Sequence, residues 1–495
     1  MASCCYPDIF SWIQKLPPLS QWKENSMSTC LCSSSSQPSL NLSVIKDLLS
    51  PTVSFSIVAD FNLPISLWTS KPIKTNPRSS NLLDDETISC LLVNLIEAVL
   101  SYCSNKCRSS IKVPKLLDSV PNFKHIFNLV SFTLSFLICI YEAPANLRSI
   151  CLANLKSQLT NPQLREASEL LMKTIGSNLE EQWMRSINLA ITNWIQERQA
   201  NNTTFNTPSP LFSYSLSTFE LWKVHLYCPI ISMDVESSNN SSPDERLLFS
   251  LKHHQLEGVI QFNYRVIIQE KWVDVLVAID NLRCDIVRLV NATLIKERGV
   301  GTEEKHFPSR ISLHLTPILQ TNMISVSVSK SSDNPTREIE LEKSLETSFD
   351  PPSSLLGLKL SVGETVSTSL KPWKFEESVH GYSAILNWFL HDTMDGREVS
   401  SSKPSKLALI NPRAWFKDRY SSAHRPFNRQ GGVVFAKDEY GNGIRWKVDK
   451  SAIGETMEWE IKGWIWLTYW PNKYRTFHSE TRRLEFRENL HLPIA

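Results

Sequence analysis

Glycine is scarce in this chain: there are fourteen in 495 residues and none before Gly176. Tight hairpin turns favour glycine at positive φ, whereas helices do without it. Ten of the fourteen fall between Gly357 and Gly463, so the chain reads as helix-rich first and hairpin-rich last. An excess of one charge is also missing. Lysine and arginine number 52 against 50 aspartate and glutamate, a net +2. So small a balance gives no global attraction to nucleic acid or membrane, and any electrostatic partner must meet a local patch.

Cysteine is unevenly spread, with nine of eleven before residue 152 and none after Cys284. An extracellular disulfide framework would use an even number and cover the β-rich half, so a reducing compartment is expected. The close pairs Cys30/Cys32 and Cys103/Cys107 have no second pair or histidine at zinc spacing, and no metal or cofactor is expected. The start, MASCCYPDIFSWIQKLPP, lacks a basic region followed by an apolar run, the mark of a secretory signal. An intracellular protein of cytoplasm or nucleus is the expectation. Cys4 and Cys5 could be acylated, giving weak, reversible membrane contact. The longest uncharged apolar stretch, Ile126 to Tyr141, is sixteen residues with four Asn, Ser or Thr. It is short of the roughly 20 needed to span a bilayer and reads as a buried core helix.

Motifs of catalysis are few. Gly299-Val-Gly301 lacks the third glycine and the lysine of a phosphate loop. There is no Gly-x-Ser-x-Gly elbow and no His-Glu-x-x-His. The adjacent His253 and His254 would point to opposite faces of a strand. His391-Asp392 ends a strand beside a turn, where catalytic groups can sit, but no nucleophile partner is identifiable. Carboxylate pairs are made in space rather than in sequence. The expectation leans away from an enzyme and leaves open one with a carboxylate or His391-based site.

Four segments follow from periodicity. Residues 1–83 carry two alternating stretches, SLNLSVI (Ser39–Ile45) and TVSFSIV (Thr52–Val58), which predict paired strands. Residues 84–199 switch to helical period. Asp84 is placed to cap a helix with Ile88, Leu91, Leu92, Leu95, Ile96 and Val99 on one face. Ser177-x-x-Glu180 reads as a capping box, followed by a stripe of Trp183, Ile187, Ile191 and Trp194. A polar linker, Gln199 to Pro210, precedes a third segment at 211–349, where short alternating strands predict an antiparallel sandwich. Asp350-Pro351-Pro352 breaks it from a Trp-rich antiparallel segment at 355–495. The fold class is therefore α+β, with a C-terminal all-β antiparallel sandwich region, expected as two sandwiches, after an N-terminal helical segment.

The stretch EWEIKGWIWLTYWPNKYRTF places Trp459, Ile461, Gly463, Ile465, Leu467 and Tyr469 on one strand face. Glu460, Lys462, Trp464, Trp466, Thr468 and Trp470 share the other. Trp464, Trp466 and Trp470, with Tyr474 and Arg475, could form a ligand face, since tryptophans beside arginines stack on single-stranded nucleic acid and aromatic rows also stack on sugars. The plainer expectation is that Trp464 and Trp466 are mainly buried under a neighbouring strand or loop, because contiguous exposed aromatic patches are rare.

The runs FEESVHGYSAILNWFLHD, NPRAWFKDRYSSAHRPFNRQGGVVFA and EWEIKGWIWLTYWPNKYRTF resemble a plant-specific family of uncharacterised proteins, as does MASCCYPDIFSWIQ at the start. The resemblance covers the whole chain. It implies a plant source and carries no activity, cofactor or site residue. Three function classes stand after it: a non-enzymatic binding or scaffold protein with a protein partner, a nucleic-acid or glycan binder using the Trp/Arg face, and an enzyme. The compartment reading has a direct check. Thiol titration of the denatured, unreduced protein should find most of the eleven cysteines reactive; most of them in disulfides would reverse it.

Overall fold

The computed structural model describes residues 6–32, 39–47, 49–61, 63–75, 81–103, 122–143, 147–148, 162–200, 211–231, 253–289, 306–329, 337–343, 364–370, 373–390, 431–436, 443–469 and 480–494. The architecture is α+β, with antiparallel sheets predominant after residue 211 and helices concentrated before it. Trp470, Tyr474, Arg475, His391, Asp392, Cys4, Cys5 and the linker beyond Ala200 lie outside the described residues.

The first sheet runs β1 (Ser26–Cys32), β2 (Ser39–Lys46), β3 (Thr52–Asp60), β4 (Ile65–Thr69), with β5 (Ile73–Lys74) also on β3. The two strands read from alternation are β2 and β3, which pair with Val44 opposite Phe55. Their buried face, Leu40, Leu42, Val44, Val53, Phe55 and Ile57, packs in one core with the helices. Those helices are α1 (Ile9–Gln14), α2 (Asp85–Ser101), α3 (Phe123–Tyr141), α4 (Pro162–Ile175) and α5 (Ser177–Ala200). Asp84 caps α2, accepting from the Thr87 backbone N–H, and its predicted apolar stripe is buried. Helix α3 begins after Asn122, whose φ of 70° suits the left-handed tolerance of asparagine. By length and composition alone α3 could cross a membrane, yet it is the central core helix here, buried from Ile126 to Ile140 apart from Asn128. Its hydroxyls are locally bonded: Thr133 Oγ1 donates to Leu129 O and Ser135 Oγ to Ser131 O, both at 2.8 Å.

The second sheet is built from β6 (Phe212–Thr218), β7 (Leu221–Ile231), β8 (His253–Ile268), β9 (Trp272–Arg288), β17 (Ile444–Asp449) and β11 (Met323–Ser327), in the order β11-β17-β9-β8-β7-β6. A further strand, β16 (Gly431–Ala436), pairs with the far half of β9. The third sheet has the order β14-β15-β10-β18-β19, with β10 at Phe307–Pro317, β14 at Trp373–His380, β15 at Ser383–Leu390, β18 at Thr456–Tyr469 and β19 at Glu480–Pro493. The ribbon β12 (Arg337–Lys343) and β13 (Glu364–Leu370) pairs only with itself among the described residues.

The second and third sheets close over a single core. The expected division near residue 350 is therefore not a structural boundary. Strand β10, from the 211–349 segment, sits between β15 and β18, while β16 and β17, from the last segment, join β9. Each segment alone would leave β10 or β9 with an unpaired edge, and interleaving satisfies both.

At the centre of this core lie Trp222 and Trp446 from the second sheet and Trp459 from the third, all fully buried. Ring centroids are 5.5 Å apart for Trp222–Trp459 and 5.9 Å for Trp446–Trp459, within the favoured range for aromatic pairs. The indole of Trp222 donates to His491 O at 2.8 Å and that of Trp446 to Tyr382 O at 2.9 Å. Along β18, Trp459, Ile461, Gly463, Ile465 and Leu467 are buried, as the alternation predicts.

Gly463 is a packing necessity. A Cβ there would lie 2.1 Å from Phe486 Cε1 and 3.0 Å from Leu313 Cδ2, because the Phe486 ring of β19 lies across its facing partner. Gly463→Ala should cost about 1–3 kcal/mol by overpacking. Phe486→Leu in the same chain should recover part of that loss, a non-additivity readable from urea midpoints of the two single variants and the double.

Candidate binding face and the seam beneath the helices

The outer face of the third sheet holds the aromatic residues singled out from sequence. Strand register sets Phe389, Arg310 and Trp466 in one cross-strand row, with Arg483 beyond them. The Arg310 guanidinium carbon sits 4.8 Å from the Phe389 ring centre and 4.5 Å from that of Trp466. The next row places Ser312 between Asn387 and Trp464, with Glu485 facing Trp464. Lys462 Nζ lies 5.2 Å over the Trp464 ring, and His314 meets it edge-on at 4.7 Å. Such cation–ring contacts are worth about 0.5–1 kcal/mol where water still reaches them.

Trp464 and Trp466 are therefore half-buried rather than mainly buried. Among the described residues the covering comes from cations of the same sheet, which the one-strand pattern could not reveal. The charges are also paired within the face. Lys462 bridges to Glu485 at 3.4 Å, Arg487 to Glu460 at 3.1 Å, His491 to Glu458 at 3.5 Å and Lys374 to Glu376 at 2.6 Å. Burial tends to raise the Glu485 carboxyl, but bonds from Trp464 and Lys462 outweigh this and hold it below its ordinary value. Burial, then the charges of Lys462 and His380, push the His314 imidazole down. Arg310, Phe389 and His314 lie 75 to 156 residues before the tryptophans. For Arg310 and His314 the sequence signal was the alternation of β10, which puts them with Ser312 on its polar side.

The opposite side of the sandwich is different. Helix α5 lies on the outer face of β7 and β8 and meets it through polar groups. Arg185 forks onto Glu257, with Nε–Oε1 at 2.7 Å and Nη2–Oε2 at 2.9 Å, and reaches Glu181 at 3.3 Å. Asn188 donates to Gln255 at 2.6 Å, and Gln255 donates onward to Glu257 at 2.9 Å. Glu180, 2% exposed, accepts from Tyr227 at 2.6 Å and lies 3.2 Å from His225 Nδ1; Tyr214 stacks on His225 at 4.9 Å. Glu180 thus points its carboxylate to the sheet. Bidentate pairing and full bonding are what such buried charges require.

Chemically, the seam unites a carboxylate, an imidazole and two phenols, but α5 covers them. A separate open depression of about 740 Å³ crosses the second sheet, lined by residues that include Glu220, Asn263, Arg265, Ser327, Gly443 and Arg445. Arg445 is occupied there by a fork onto the buried Asp274, at 2.9 and 2.6 Å. Among the described residues no three His, Cys, Asp or Glu side chains gather as a metal set.

No family model matches this chain, and no curated protein matches it. Solved structures overlap it in part, among them two toxins. The delta-toxin of Clostridium perfringens shares 9% identity at a TM-score of 0.20, covering 58% of this chain and 91% of its own. The NetB toxin of Clostridium perfringens in its membrane-inserted form shares 9% at a TM-score of 0.17, covering 57% and 100%. Overlaps this slight carry no argument about fold or activity.

The seam sets a pH dependence. Burial alone would raise the Glu180 carboxyl, but His225, Tyr227 and Tyr214 together hold it below its ordinary value. A depressed carboxyl stabilises the fold above its unfolded pKa of about 4.3, and that contribution fades as pH falls through the folded value. Glu180→Gln should lower stability by on the order of 1–3 kcal/mol at neutral pH. The gap between parent and variant melting temperatures should close below about pH 4; a gap that widens on acidification would contradict the assignment.

Proposed function

We propose that this chain is a non-enzymatic binding or scaffold protein whose partner is another protein. The observation that supports this reading best is the outer face of the third sheet. Its tryptophans are engaged by Arg310, Lys462 and His314, and its lysines and arginines largely by neighbouring carboxylates. A face occupied with its own interactions offers area for contact rather than open rings or unpaired cations for a strand of phosphates. The carboxylate–imidazole–phenol group lies under α5, which favours a structural role for it. Membership of a plant-specific family and an intracellular, reducing location belong to the same proposal. The thiols of Cys90, Cys139 and Cys284, which stand outside any disulfide, support the latter.

The half-exposure of Trp464 and Trp466 favours a second reading, nucleic-acid or glycan binding through a face that would also include Trp470, Tyr474 and Arg475. One pair of variants separates the two. On the scaffold reading Trp466→Ala lowers stability by about 2 kcal/mol, roughly half the cost for a fully buried aromatic. The parent then shows no saturable binding to oligothymidylate or to a glycan array. On the second reading the parent binds one of these, and Trp464→Ala or Trp466→Ala abolishes that binding.

A further inference from the structure

One end of the sandwich gathers the short turns β6–β7, β8–β9, β10–β11, β14–β15 and β17–β18. Of the eleven large apolar side chains exposed among the described residues, seven stand on or next to these turns: Phe219, Ile268, Ile318, Leu319, Ile324, Val379 and Ile453. Phe219 is 86% exposed and Leu319 55%. Turn tips ordinarily carry Gly, Asn, Asp or Ser, whose small or polar side chains serve the turn itself. Among the described residues, the apolar side chains at these tips stand exposed to solvent.

Register places the tips at the same end of the two sheets. Phe219 lies three residues before Trp222, and Leu319 two beyond Pro317, the strand partner of Trp459. Ile268 lies two beyond Val266, which faces Val275, the partner of Trp446. Each projects two or three residues past one of the clustered tryptophans or its strand partner, and Phe219, level with Arg265 of β8, stands about three residues short of Ile268. Backbone bonds hold the turns: Asp449 N to Asn322 O at 2.8 Å, Ile318 N to Glu458 O at 2.9 Å and Gly454 N to Ile494 O at 2.7 Å. The surface is thus largely formed before any partner arrives, which lowers the ordering cost of binding.

Around these side chains the exposed charges of the turns are Glu220, Glu270, Asp449 and Glu455 against Lys271 and Lys450. An apolar centre with an acidic surround disfavours an anionic lipid surface, and two copies meeting end to end would repel. The geometry points to a docking surface for a protein segment that presents apolar side chains flanked by lysine or arginine. This rests on the binding-protein reading and names its partner class.

The test uses the full chain and a labelled peptide of leucine and lysine, with a leucine–glutamate peptide as control. The parent should bind the first saturably, more weakly as salt rises, and ignore the second. A triple variant, Phe219→Ser with Leu319→Ser and Ile453→Ser, should lose about tenfold in affinity, near 1.4 kcal/mol. Charge reversal by Glu220→Lys with Glu270→Lys and Glu455→Lys should do the same. Both variants should melt with the parent, because every altered side chain is exposed. Parent-like peptide binding by both variants overturns the inference. Turn-dependent binding to phosphatidylcholine or phosphatidylserine vesicles, or turn-dependent self-association, overturns the basic-segment assignment while leaving a binding protein. No binding to any probe by the parent also overturns it, and the scaffold reading then rests on the Trp466 result alone.

Discussion

The contact between Trp459 and the pair Trp222 and Trp446 is the constraint on which the rest of the molecule depends. It joins the second sheet to the third where all three indoles are fully buried. An antiparallel sheet with one apolar face must be covered, and these two cover each other. Elsewhere in the same core β18 needs a glycine opposite Phe486, whose ring fills the space a Cβ at Gly463 would take. Dense packing transmits that need: a methyl added at one position displaces a ring on the next strand.

Closure of this core decides what the outer faces can be. Once one side of β7 and β8 is committed to the sandwich, the other side is free to receive α5. The helix–sheet seam is polar where the sandwich core is apolar. Its charges are buried, so they are tolerated only because each has a partner in reach, as with the fork of Arg185 on Glu257. Such a seam contributes less net stability than an apolar contact of equal area, but it admits one register of helix on strand. At the far side of α2 and α3 the first sheet is held by apolar packing instead.

The third sheet's outer face follows a different rule. Nothing among the described residues packs over it as a layer, so its rings are shielded by side chains of their own sheet. Arginine between Phe389 and Trp466 removes apolar surface from water while keeping its charge near solvent. At the turn end this economy fails, with apolar side chains standing out beside carboxylates. Apolar side chains exposed together at one end of a fold generally mark a place of contact.

Several features were determined by the sequence alone, because they are local. Period-2 alternation defined β2, β3 and the two faces of β18, since a strand turns each side chain to the opposite side whatever lies around it. The stripe of α2 and its cap at Asp84 were legible for the same reason. What only the tertiary structure decided is long-range. That β10 lies between β15 and β18, merging two expected regions in one sandwich, depends on strand pairing across 70 to 150 residues. Glu180 had the spacing of a capping residue, but that its carboxylate meets Tyr227 and His225 follows only from how α5 lies on the sheet. The exposure of Trp464 and Trp466 depended on Arg310, Lys462 and His314, two of them on a strand that alternation could place on a face but not beside a partner. Periodicity states which way a side chain points; only the folded chain determines what it meets there.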